Sequence, residues 1–219
     1  MKKILPAVIT STLILGLGCN RIDEYTYFPY TENSEWVYDL LATYSYTDTE
    51  YPEDNEYDTL SGTMTKKVIS EIEYKESKFC EVYQILDYED SDGYRDVDTS
   101  VFFIRIEPDS VYFYLDYTDD TALLVGPSIP EVGDQWEGFN LLWYAYMKYE
   151  VVADDEKILD YRKCLKIECT MDDYWSDYEL TEYWARDVGM VYTYFKGVDE
   201  YGTEKDEYIL EFSIRESYN

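Results

Sequence analysis

Trp36-Val37-Tyr38-Asp39-Leu40-Leu41-Ala42-Thr43-Tyr44-Ser45-Tyr46-Thr47 is the stretch that decides the fold. Successive side chains of a strand point to opposite faces. On that period Trp36, Tyr38, Leu40, Ala42, Tyr44 and Tyr46 share one face. Asp39, Thr43, Ser45 and Thr47 share the other. The segment therefore predicts a long strand with one buried face and one wet face.

The same alternation recurs along the chain. Met64 to Ile72, Phe79 to Asp87, Val101 to Ile106, Val111 to Asp116 and Leu123 to Val125 read as strands. So do Phe139 to Val152, Arg162 to Met171, Tyr178 to Ala185, Val188 to Phe195 and Glu207 to Arg215. Phe139 to Tyr149 is nearly continuous in apolar residues and fits either a buried strand or a short helix. Acids gather between the runs, at Asp116–Asp120, Asp154–Glu156, Asp172–Asp173 and Asp199–Glu200. Glu107-Pro108-Asp109-Ser110 is a tight-turn signal. These features predict an all-β single domain: a curved antiparallel meander sheet or partly open barrel of about ten strands.

Val68-Ile69, an acid/Lys turn and Lys78-Phe79-Cys80-Glu81-Val82 are echoed by Val151-Val152, an acidic turn and Arg162-Lys163-Cys164-Leu165-Lys166. Both read as long hairpins whose return strand opens with a basic residue and a Cys. Duplication and convergent hairpin chemistry account for the echo equally well.

Composition limits function. The 219 residues carry 27 Tyr, no His and a net charge of −30. A field of that sign repels nucleic acid and anionic headgroups. The absence of His removes the usual general base, the Ser-His and Cys-His pairs, and His-ligated zinc or iron. Neither S-x-x-K nor G-x-S-x-G is present. No catalytic residue, cofactor-binding residue or metal ligand is therefore assigned. Asp87 to Gly93 resembles a calcium loop, but aligning Gly93 to its glycine puts Tyr88 and Thr99 where the anchoring acids belong. Trp143, Trp175 and Trp184 are candidates for stacking on sugar rings, against a core or interface role.

The N-terminus carries the address. Met1-Lys2-Lys3, the apolar run Ile4 to Leu17, then Gly16-Leu17-Gly18-Cys19 form a secretory signal too short to span a bilayer. This end resembles a bacterial lipoprotein signal, with Gly16 where the usual Leu stands. The resemblance implies cleavage after residue 18 and lipidation of Cys19. It implies a tether over 19–30, a β domain over 31–219, and membrane attachment through lipid at the cell envelope. Asn20 in place of Asp favours the outer over the inner membrane. Cys80, Cys164 and Cys169 remain. Cys164 and Cys169 lie on opposite strand faces about 16 Å apart and cannot pair. Cys80 either bridges to one of them or all three are buried or half-buried thiols.

Three further segments resemble a loose group of bacterial secreted proteins and lipoproteins. They are Phe28-Pro29-Tyr30 leading to Trp36-Val37-Tyr38, Val132-Gly133-Asp134-Gln135-Trp136, and Trp184-Ala185-Arg186-Asp187-Val188-Gly189-Met190-Val191. The resemblance implies a curved antiparallel sheet and no particular activity. The reading that follows is a non-catalytic envelope lipoprotein that binds an apolar, glycan, lipid or protein partner or serves structurally. The alternative is a carboxylate-dependent polysaccharide hydrolase, which needs two facing acids beside an aromatic groove.

Overall fold

Strand β1 (Glu35–Asp48) follows the alternation of its sequence: Trp36, Tyr38 and Leu40 are buried, while Leu41 and Thr47 are exposed. In the computed structural model, which describes residues 26–119, 121–142, 145–170 and 177–218, eleven more strands follow. They are β2 (Glu56–Tyr74), β3 (Ser77–Glu89), β4 (Arg95–Ile106), β5 (Val111–Tyr114), β6 (Leu123–Gly126), β7 (Gln135–Asn140), β8 (Ala145–Ile158), β9 (Tyr161–Thr170), β10 (Asp177–Ala185), β11 (Gly189–Tyr201) and β12 (Glu204–Tyr218). Among the described residues the one helical element is a single 3-10 turn at Pro52–Asp54.

Within β1–β6 and within β7–β12 each strand pairs antiparallel with its neighbours in sequence, and β12 pairs with β1 (Tyr44 opposite Tyr208, Leu40 opposite Phe212). The twelve strands thus run around a nearly closed barrel with one seam, between β6 and β7. No ladder joins those two strands among the described residues. Instead Trp136 Nε1 donates to the Val125 carbonyl at 3.0 Å. A Cβ on Gly138 would strike that same carbonyl oxygen, and one on Gly126 would strike the Trp136 indole. Glycine at these two places lets the sheet ends touch.

The all-β, single-sheet expectation holds, with two strands more than the rough count. The run from Phe139 to Val152 is not one element: it contains the end of β7 and the start of β8, with Leu141 and Leu142 in a turn after β7. Continuous apolarity hid the break, because Leu141 and Leu142 pack on the core from the turn itself.

The sequence echo coincides with a repeated local geometry. The hairpins β2–β3 and β8–β9 hold the second and third places in the two six-strand halves. Each half opens with the same turn. Asn33 N donates to Val68 O at 3.2 Å and Val68 N to Ser34 O at 2.9 Å. Gly133 N donates to Val151 O at 2.8 Å and Val151 N to Asp134 O at 3.0 Å. Asn33 and Gly133 both have positive φ, 71° and 93°, a region that Gly and Asn enter most readily. Trp36 and Trp136 follow three residues later, and Trp36 Nε1 donates to Val188 O at 2.7 Å.

The interior is apolar: Met64, Val68, Val82, Phe102, Ile104, Ile167, Leu180 and Val191 are among its buried side chains. Outward positions carry ion pairs such as Arg215–Asp39, Arg95–Asp87 and Lys67–Glu35. That is the reverse of a membrane-spanning barrel, whose outer band is apolar. Residues 26–34 cap the end at which β1 begins. Tyr27, Phe28 and Pro29 are buried there, Phe28 meets Trp184 edge-on at 4.6 Å, and Tyr30 lies 5.0 Å from Trp36. The expected tether over 19–30 thus enters the described residues at Thr26 and is packed from Tyr27 onward.

Candidate functional site

The barrel interior has a closed floor and an open mouth, and the inward stripe of β1 runs from one to the other. At the floor a cavity of about 50 Å³ is lined by Trp36, Tyr38, Lys66, Trp136, Tyr149 and Glu182, among others. Lys66 and Glu182 are 5% and 2% exposed. Their strands put them there by parity. Lys66 shares its face with Met64 and Val68; Glu182 shares its face with Leu180 and Trp184.

Glu182 is held by two donors, Asn140 Nδ2 to Oε1 at 2.7 Å and Trp184 Nε1 to Oε2 at 2.8 Å. Burial raises its pKa, against those hydrogen bonds and the Lys66 charge, which act to lower it. Burial also brings the Lys66 ammonium down to about 8, and Glu182 only partly opposes this. No ion pair within 4.0 Å joins the two. A cavity this size has room for water but not for a sugar-sized ligand, which needs roughly 300 Å³ or more. Among the described residues Glu182 is the one carboxylate that lines it, whereas glycoside cleavage uses two.

The mouth lies at the other end of β1. Strands β5, β6 and β7 have four, four and six residues, against nineteen in β2 and fourteen in β8. The wall is therefore low on that side. The inward stripe opposite it, buried at Trp36, Tyr38 and Leu40, becomes half-buried at Tyr44 and Tyr46. Leu60, Leu86, Tyr88 and Leu210 there are also half-buried, and Tyr208 is 36% exposed. The Tyr44 and Tyr208 rings lie 4.6 Å apart, and Tyr44 Oη donates to Asp206 Oδ1 at 2.9 Å. Tyr88 Oη donates to Asp96 Oδ2 at 3.3 Å. Desolvation, then the neighbouring carboxylates, push both phenols upward, so they stay neutral donors. Aromatic faces beside carboxylate acceptors are the chemistry that holds polyhydroxylated rings.

Other residues singled out from sequence fall elsewhere. Cys19, Trp143 and Trp175 lie outside the described residues. Trp184 is committed to the floor, between Phe28 and Glu182. Cys80, Cys164 and Cys169 are free and buried, so of the two alternatives the thiols hold. Cys164 and Cys169 are both buried despite their odd spacing; β8 shifts register opposite Cys164. In the Asp87 to Gly93 stretch, Asp90 Oδ1 accepts from the Asp92 and Tyr94 amides, and Asp87 pairs with Arg95. That is a turn and an ion pair. Lys66 and Glu182 were missed by sequence reasoning, although strand parity with apolar neighbours was a usable signal.

No known protein family and no curated protein matches this chain. Among solved structures it is similar to a candidate lipoprotein from Parabacteroides distasonis, with a TM-score of 0.39 and 12% identity over 88% of this chain and 98% of that one.

Proposed function

We propose that this is a non-catalytic lipoprotein of the bacterial cell envelope whose tyrosine-lined mouth binds a glycan. The observation that carries the binding reading is the inward stripe itself, sealed at Trp36, Tyr38 and Leu40 and open at Tyr44, Tyr46 and Tyr208. The address rests on the Met1 to Cys19 signal, which supports lipidation of Cys19 and placement at the outer rather than the inner membrane. With Tyr27 and Phe28 packed into the domain, the seven steps from Cys19 to Thr26 reach at most about 25 Å. The lipid end and the mouth then lie at opposite ends of β1, a strand roughly 45 Å long at ~3.3 Å per residue. A mouth facing away from the bilayer suits a hydrated glycan better than a lipid. The acidic surface argues against nucleic acid as a partner.

Two measurements test the reading. Mass spectrometry of the mature N-terminal peptide is expected to show an acylated Cys19, and Cys19→Ser is expected to release the protein from the membrane. Titration with neutral oligosaccharides is expected to saturate and to weaken roughly tenfold in Tyr44→Ala/Tyr208→Ala, the loss of one to two stacking contacts. Binding that survives the double substitution, or no saturable binding, refutes the mouth as a glycan site. Release of new reducing ends from a bound polysaccharide would instead support the hydrolase reading.

A further inference from the structure

A second aromatic cluster lies on the outside of the barrel, around one arginine. In the ladder Arg105 stands opposite Tyr112, and Phe103 opposite Tyr114. Their neighbours Ile104 and Phe113 point into the core, so this row faces outward. Phe79 and Tyr114 are nevertheless only 3% exposed, because Tyr117 of the β5–β6 connection lies across them. Its ring is 6.0 Å from that of Phe79, 5.0 Å from Phe103 and 5.6 Å from Tyr74.

Arg105 sits within this cluster. Its guanidinium carbon is 5.8, 5.1 and 5.3 Å from the ring centres of Phe79, Tyr112 and Tyr114. Glu107 Oε1 takes one terminal nitrogen at 3.0 Å. The Nε hydrogen is buried and has no acceptor. A guanidinium has five donors in a fixed planar fork that matches a carboxylate. Here one acid engages it while aromatic rings limit its hydration. A cavity of about 180 Å³ opens beside it, walled by Tyr74, Phe79, Tyr114 and Tyr117, with Lys75 at the rim. The lining sets Arg105 and Lys75 against Asp119, and Glu107 engages Arg105 from beside it, so on a chain of net charge −30 the pocket is locally balanced in charge.

We infer that this pocket binds a single six-membered ring bearing a carboxylate, the ring between the tyrosines and the carboxylate on Arg105. Two sources share that chemistry, a uronic acid unit of an acidic polysaccharide and an aromatic acid. The site is separate from the mouth and does not depend on the glycan reading given to it.

Ligand-observed NMR and calorimetric titration of the folded chain with glucuronate, benzoate and glucose test the inference. Saturable binding of glucuronate or benzoate is expected, and whichever binds more tightly names the source. Glucose should bind at least about tenfold more weakly, because it lacks the charge that the guanidinium recognises. Arg105→Gln should lose the carboxylate by about tenfold or more, and Arg105→Lys should recover only part of it, since a point charge lacks the fork. Tyr117→Ala, a loop substitution, should weaken binding while leaving the circular dichroism spectrum unchanged. If Arg105→Gln disrupts the fold, Tyr117→Ala and the glucose comparison decide. Absence of saturation by both acids, equal binding of glucose, or affinity indifferent to these substitutions overturns the inference.

Discussion

Replacing Lys66 with methionine should make this protein more stable at neutral pH, and the gain should vanish in alkali. Lys66 is 5% exposed, and burial lowers its pKa from 10.5 to about 8. A shift of that size corresponds to roughly 3 kcal/mol by which the folded state disfavours the ammonium. The sign follows from proton counting. Below about pH 8 the lysine is charged in both states and the full cost falls on the fold. Between about 8 and 10.5 the unfolded chain holds the proton more tightly than the folded one, so stability from this group rises with pH. Above that interval the cost is gone. Methionine has similar length and no charge. Glu182 loses the attraction of the ammonium in the variant but keeps its Asn140 and Trp184 donors, which offsets part of the gain. The net expectation is about 1–3 kcal/mol of added stability at pH 7, in line with other replacements of buried charge by apolar groups. Urea unfolding followed by tryptophan fluorescence, for both proteins at a series of pH values from 6 to 10, measures it. The difference between the curves isolates Lys66 from the buried Tyr and Cys groups, which titrate in both. A variant less stable at pH 7, with a deficit that does not change with pH, would refute the reasoning and show that the ammonium is paired in solution.

Closure of the barrel is tested at the seam. Gly138→Ala should cost roughly 1–3 kcal/mol of unfolding free energy, because its Cβ meets the backbone carbonyl of Val125 rather than a movable side chain. The two half-barrel turns should respond alike. Asn33→Ala and Gly133→Ala each place alanine at positive φ and should each lose about 1–2 kcal/mol in urea titration. Native protein should react slowly with a thiol reagent, since Cys80, Cys164 and Cys169 are buried and burial pushes Cys80 up to about 11. In denaturant three thiols should react if Cys19 is acylated and four if it is free.

Alternation in the sequence exposed β1 in full, and it located at least part of most other strands, because side-chain parity is a local property of extended chain. It overlooked most of β7, since Gln135 to Gly138 sits at the end of a Pro/Gly-rich loop and the rest merges with an apolar run that has no polar break. It also gave Lys66 no role. Lys67 does meet Glu35 on the surface, but its neighbour shares a face with Met64 and Val68 and must go inside. Composition, which counts both residues equally, could not separate them.

By itself the sequence determined an all-β chain, a stripe of Trp36 to Tyr46 with one buried face, and a net charge of −30. Each is a property of neighbours in the chain or of totals. Only the tertiary structure decided that β12 returns to β1, that the sheet ends meet at Gly126 and Gly138, and that Glu182 shares a cavity with Lys66. Those contacts join residues far apart in sequence, and they depend on strand lengths, register and curvature around the whole barrel. No local pattern encodes these.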